Sequence, residues 1–163
     1  MSMPRTPVSP VVDDVDEWFR CAYPRLRRFA AVVAPPTIDP DDLVQDALVR
    51  VLGHGALARL DDPVAYLCRT MTNLASDRRR RWRRGQRAHD RLGSDRSPLP
   101  SYPSDLADLG RLRPMERGAV YLHDVEGRPF DEVATLLGCT AAAARQAAVR
   151  GRDHLRTLMK VEP

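Results

Sequence analysis

Apolar positions along this 163-residue chain recur every three or four residues, and nowhere do they alternate long enough to suggest a strand. The first stripe is Val15, Trp18, Phe19, Ala22, Leu26, Phe29, Ala30 and Val33, and Pro35-Pro36 stops it. Pro24 falls inside the stripe, so the pattern predicts two segments or a bend there. The second helix starts with Asp39 as cap, Pro40 in the first helical position, and Asp41 and Asp42 at the positive end of the dipole. Leu43, Val44, Ala47, Leu48, Val51 and Leu52 form its core face, ending at Gly53, and Asp42, Gln45, Asp46 and Val49 form the opposite stripe. After a loop, Asp62-Pro63 repeats the cap-plus-proline start. Val64, Leu67, Cys68, Met71, Leu74 and Ala75 then mark a third buried face.

Residues 93–104, with three prolines and several serines, read as a linker, and residues 1–12 as a disordered lead-in. A second unit follows over 105–160. Leu106, Leu109 and Leu112 lead into a helix from Pro114 to Asp124, and Gly127-Arg128-Pro129 turns the chain. A short helix through Phe130, Val133, Ala134 and Leu137 ends at Gly138. Thr140 caps a last helix with Ala144, Ala148, Gly151 and Leu155 inward. The expected fold is therefore all-α: two small helical domains, over 13–92 and 105–160, joined by a Pro/Ser-rich linker. The second ends in a helix-turn-helix.

Charge changes the picture at one place. The chain carries 26 basic and 22 acidic residues, a net +4. The segment Asp77–Arg91 holds eight arginines against Asp77 and Asp90, so it exceeds that whole balance. A basic excess confined to one segment points to nucleic acid, with an arginine-rich solvated helix end as the bland alternative. Trp82 in its middle offers a flat surface for stacking on a base. The three cysteines and four histidines show no metal-ligand spacing, so neither a metal nor another cofactor is expected. The absence of a signal peptide and of any long apolar run leads us to expect a cytoplasmic protein without a membrane partner.

Two motifs in order carry a family resemblance. The segment DPDDLVQDALVRVL, followed after a loop by DPVAYLCRTMTNLASDRRRR, resembles the first unit of bacterial sigma factors of the extracytoplasmic-function group. The stretch RLRPMERGAVYLHDVEGRPFDEVATLLGCTAAAARQAAVRGRDHLR is similar to that family's second unit. The resemblance implies a subunit that binds core RNA polymerase, recognises the −10 and −35 promoter elements and helps open promoter DNA. Asp42, Leu43, Gln45 and Asp46 match the helix laid against core polymerase, with Val49 on the same stripe. Asn73 and Asp77, with Arg69 and Thr70, match the helix that meets the −10 element, while Arg78, Arg80, Arg81 and Arg84 hold phosphates beside Trp82. The preceding loop, with Leu60, Asp61 and Asp62, corresponds to the family's pocket for a flipped base.

In the second unit, Thr140, Ala142, Ala143, Arg145, Gln146, Val149, Arg150 and Arg152 correspond to the −35 contacts. Arg145 and Gln146 are the candidate base readers, and Arg150 and Arg152 the candidate phosphate contacts. Where the family commonly has Gly-Thr-Val-Lys-Ser-Arg, this chain has Ala142-Ala143-Ala144-Arg145-Gln146-Ala147, so weaker or altered −35 recognition is expected. An inhibitory anti-sigma partner is common in the family, although no residue here demands one. Two other readings compete. A stand-alone helix-turn-helix regulator would leave the Asp42–Val49 stripe without a task. A nuclease would need Asp41, Asp42 and Asp46 to gather a magnesium ion, but adjacent carboxylates on a helix point apart.

Overall fold

The computed structural model describes residues 15–53, 60–91 and 110–160, so the lead-in and linker expected from the sequence lie outside the described residues. Among the described residues every regular element is helical. They are α1 (Val15–Val33), α2 (Pro40–Gly53), α3 (Pro63–Arg91), α4 (Pro114–Val120), α5 (Phe130–Leu137) and α6 (Ala141–Met159), with a π-helical turn over Tyr121–Val125 continuing α4.

The caps read from sequence form. The Asp39 carboxylate accepts the Asp41 N–H at 2.7 Å, the Asp62 carboxylate the Ala65 N–H at 2.9 Å, and the Thr140 hydroxyl the Ala143 N–H at 3.1 Å. Gly138 ends α5 in the left-handed region at φ 69°, letting the Cys139 N–H close on the Ala134 carbonyl at 3.0 Å. Pro24 neither splits nor breaks α1, which runs through it unbroken. Its ring is exposed, so the Arg20 carbonyl that loses its helical donor lies on the solvent side, where water can replace it.

Helices α1, α2 and α3 pack on one another, and α4 and α5 pack on α6 as the helix-turn-helix. The two units are not separate bodies here. α4 lies against α1 and α3, α5 lies against α3, and the buried side chains of both units form one continuous core. Leu26, Phe29, Val33, Leu43, Val44, Val51, Leu67 and Met71 fill the first part, with Cys68 buried among them and its thiol pushed up to about 12 by that burial. Leu52, placed inward by its spacing, is instead 56% exposed.

The seam between the units is polar as well as apolar. Arg117 is 5% exposed, and its two terminal nitrogens donate to the carbonyls of Val33 (2.8 Å) and Ala34 (3.0 Å). Those are the last carbonyls of α1, the negative end of its dipole, so the cation caps a helix belonging to the other unit. Burial, reinforced by the nearby Arg79 charge, pulls its pKa down to about 10.

Candidate nucleic-acid interface

Winding of α3 sorts its candidates into faces. At about 100° per residue, Thr70, Asn73, Asp77, Arg80, Arg81 and Arg84 fall on roughly one third of the circumference. Asn73 and these three arginines are exposed, while Thr70 and Asp77 are half-buried. The Thr70 hydroxyl donates to the Tyr66 carbonyl at 2.9 Å, and Asp77 pairs with Arg80. That pair is open to solvent on both sides, so it is weak and easily exchanged for a phosphate. The face therefore combines an amide suited to a base edge with cations suited to a backbone.

Three residues assigned to this interface point elsewhere. Arg78 turns onto α2 and pairs with Asp46, which was itself a candidate for a different surface. Trp82 continues the line of the core face beyond the end of the core and remains 40% exposed, away from Asn73. Arg69 reaches the second unit, where its guanidinium donates to the Thr135 carbonyl at 3.5 Å and its side chain lies over Gly138. The even spread of arginines hid this sorting, since every position in the run reads alike until its neighbours are known.

The loop ahead of α3 gives little to a flipped base. Leu60 is half-buried against the core, and the Asp62 carboxylate is taken up as the α3 cap, leaving Asp61 exposed. Residues 54–59 of the same loop lie outside the described residues.

On α2 the stripe Asp42, Gln45 and Val49 is exposed, with Asp46 half-buried beside it. Val49 is 68% exposed, and Leu52, which the sequence pattern had assigned to the core, joins it to give an apolar end. Leu43 is fully buried, so it holds α2 to the core and offers no surface. The three carboxylates considered for magnesium do not converge. Asp41 accepts from Tyr23 and Arg27, Asp46 pairs with Arg78, and no cluster of metal-ligating side chains occurs among the described residues.

The outer face of α6 presents Ala142, Ala143, Arg145, Gln146 and Val149. The Arg145 guanidinium sits 5.2 Å from the Phe130 ring centroid, which steadies the side chain while leaving its edge free. Arg152 is committed inside the unit, with both Asp124 oxygens within 3.1 Å, so it straps α6 to the π-helical turn. Arg150 lies 3.7 Å from Glu116, a carboxylate only 2% exposed that also accepts the Arg113 N–H at 3.1 Å and meets His154 at 3.2 Å. Sequence reasoning missed Glu116 and Arg117. Both stand in a charged stretch that reads as surface, and nothing in its spacing reveals the seam.

With this geometry in place, comparison with known proteins is decisive. Residues 18–85 match sigma-70 region 2, and residues 109–155 match sigma-70 region 4. The chain is 30% identical to the RNA polymerase sigma factor CarQ of Myxococcus xanthus, over 90% of both chains. It belongs to the extracytoplasmic-function group of RNA polymerase sigma factors. It is also 29% identical to the ECF sigma factor EcfG of Rhodopseudomonas palustris, over 94% of this chain and 89% of that one. With the probable ECF sigma factor SigI of Mycobacterium tuberculosis it shares 32% identity, but it spans only 49% of that protein's length. In fold it is similar to the sigma factor RpoE of Bartonella quintana, solved in complex with the anti-sigma factor NepR. The TM-score is 0.64 at 23% identity, covering 93% of this chain and 100% of that one. Sigma factors are promoter-specificity subunits of RNA polymerase, and this chain falls in that class. None of the described helices of this sigma factor is long and apolar enough to cross a membrane.

Proposed function

We propose that this sigma factor docks on core RNA polymerase through α2 and reads a promoter with two separate helix faces. Residues 13–92 supply the polymerase and −10 contacts, and residues 105–160 the −35 contacts. On α2 the docking stripe is Asp42, Gln45, Asp46 and Val49, extended by Leu52. The −10 face is Thr70, Asn73 and Asp77, with Arg80, Arg81 and Arg84 on phosphates. On α6, Arg145 and Gln146 read bases among Ala142, Ala143 and Val149. The chain works without a catalytic centre of its own, in the cytoplasm with the polymerase, and an anti-sigma factor is a natural further partner.

The observation that carries this reading is the single α3 face on which Asn73 shares exposed surface with Arg80, Arg81 and Arg84. The −10 and −35 elements are centred about 25 base pairs apart, roughly 85 Å along the duplex. A compact chain of this length has a radius of gyration near 15 Å, so the two units must part to reach both elements.

Run-off transcription with core polymerase on sheared host DNA tests the function. Discrete new transcripts are expected, and Asp46→Arg should abolish them by weakening core binding. In a binding assay without polymerase, Arg81→Gln with Arg84→Gln should lower the slope of log K against log[salt] by about 2. An unchanged slope removes these arginines from the phosphate contacts. Core binding without transcripts would move suspicion to the alanine-rich face of α6.

A further inference from the structure

Arg79 and Arg83 stand one helical turn apart on α3, on a side that faces the second unit and away from Asn73. Together with Arg111, Arg113, His154 and Thr157 they line a recess of about 310 Å³ at the seam. Among the described residues no carboxylate lines it. Glu116, which meets His154 of the wall, is buried and already shared among the Arg113 N–H, His154 and Arg150. Four arginines thus converge on one hollow with no acid among the described residues of its wall.

Such an arrangement is costly when empty. Like charges repel, and burial together with the Arg83 and Arg113 charges holds Arg79 below its usual pKa, although the buried Glu116 offsets part of this. It is nevertheless built in place. The Arg79 guanidinium is half-buried and fixed by donating to the Leu112 carbonyl and to the Arg111 carbonyl at 2.8 Å. The volume would hold roughly ten waters at ~30 Å³ each, ample for a small oligophosphate. Guanidinium forks match phosphate oxygens in pairs, and several forks around one hollow favour an anion that carries more than one charge.

We propose that this seam recess is a phosphate-binding site, taking one small, multiply charged di- or triphosphate group, and that its occupant fastens the two units together. Arg79 and Arg83 come from α3, and Arg111, Arg113 and His154 from the other unit, so a bound phosphate has its full set of ligands only while the units are closed. Because the −10 and −35 contacts require the units to part, the occupant opposes promoter binding. That consequence rests on the proposed promoter reading, whereas the site itself does not.

The test titrates the full chain with inorganic triphosphate at constant ionic strength, by calorimetry and small-angle X-ray scattering. One triphosphate per chain is expected, with a smaller radius of gyration on binding. Arg83→Gln with Arg113→Gln should weaken binding by about tenfold, while Arg81→Gln with Arg84→Gln, on the α3 face outside the recess, should change it by less than about twofold. Equal losses in the two double variants would show that the anion follows the net charge of α3 and would overturn the site. So would the lack of saturable binding, and an unchanged radius would overturn the fastening role. A short duplex distinguishes free phosphate from DNA backbone. Its affinity should fall with Arg81→Gln and Arg84→Gln and hold with Arg83→Gln and Arg113→Gln. If the recess variant lost the duplex as strongly, the pocket would belong to DNA and the free-phosphate proposal would fall.

Discussion

The first three helices meet through large side chains: Leu26, Phe29 and Val33 from α1, Leu43, Val44 and Val51 from α2, Leu67 and Met71 from α3. Helix α6 brings only Ala144, Ala147, Ala148 and Gly151 to its buried face. At Gly151 even a Cβ would lie 2.7 Å from the Val120 side chain and 3.2 Å from the Glu116 carbonyl, so α6 is held by closeness rather than by bulk. Small residues bury little area each, and burial stabilises in proportion to area. The second unit makes up the difference by leaning on the first, through α4 against α1 and through α5 against α3. The second unit thus rests on a surface that the proposed promoter reading requires it to leave.

The contrast is broken most directly in the first unit. Leu43→Ala removes a fully buried side chain from between α2 and its neighbours and should cost about 2–5 kcal/mol. Because the core is continuous, urea unfolding followed separately in each unit should show both transitions moving together. A loss confined to the first unit's probe would mean that the second unit folds without it.

Arg117 sets the size of the seam's polar contribution. Arg117→Ala leaves the Val33 and Ala34 carbonyls unmatched beneath α4 and should cost about 2–3 kcal/mol, measured as loss of unfolding free energy. Arg117→Met keeps much of the volume and removes the cost of burying a cation, so it should destabilise less than alanine does. One guanidinium nitrogen, Nε, is buried without a hydrogen-bond partner, which already shows that the site is an imperfect home for the charge. If methionine proved as damaging as alanine, the hydrogen bonds to α1 would outweigh the desolvation.

The same division explains what the sequence could show. Caps are local, so Asp39, Asp62 and Thr140 announced three helix starts, and Gly138 announced the turn between α5 and α6. Periodicity tells which face points inward but not where a neighbouring helix stops. That is why Leu52, on the core line of α2, emerges into solvent, and why Trp82 follows the core face of α3 past its end. Pro24 reads as a break because sequence does not say which carbonyl it orphans or whether that carbonyl faces water. The sorting of Arg79 and Arg83 away from the exposed α3 face, and the burial of Arg117, depend on contacts between units far apart in the chain, and that of Arg78 depends on Asp46 of α2. No spacing rule encodes them. Helices α3 and α6 were legible as helices, and the family motifs ordered them, but the division of α3 into a free face and a seam face came only with the fold.

The smallest of the expected effects sharpens the comparison at a single bond. Thr140→Ala leaves the Ala143 N–H of α6 without its cap, and Asp62→Ala does the same to the Ala65 N–H of α3. Each should cost about 1 kcal/mol, since a cap acts within its own first turn. The consequences should differ because the surroundings do. The first turn of α3 buries Pro63 and Ala65, with Leu67 and Cys68 buried directly after it, whereas that of α6 exposes Ala142 and Ala143 and buries only Ala144. Amide hydrogen exchange should therefore speed up by about fivefold in the first turn of α6, where opening is local. In α3 the lost bond should appear instead as a lower global stability, with first-turn amides still exchanging through whole-molecule unfolding. Equal local acceleration in both helices would show that the alanine face of α6 is held as firmly as the large side chains hold α3.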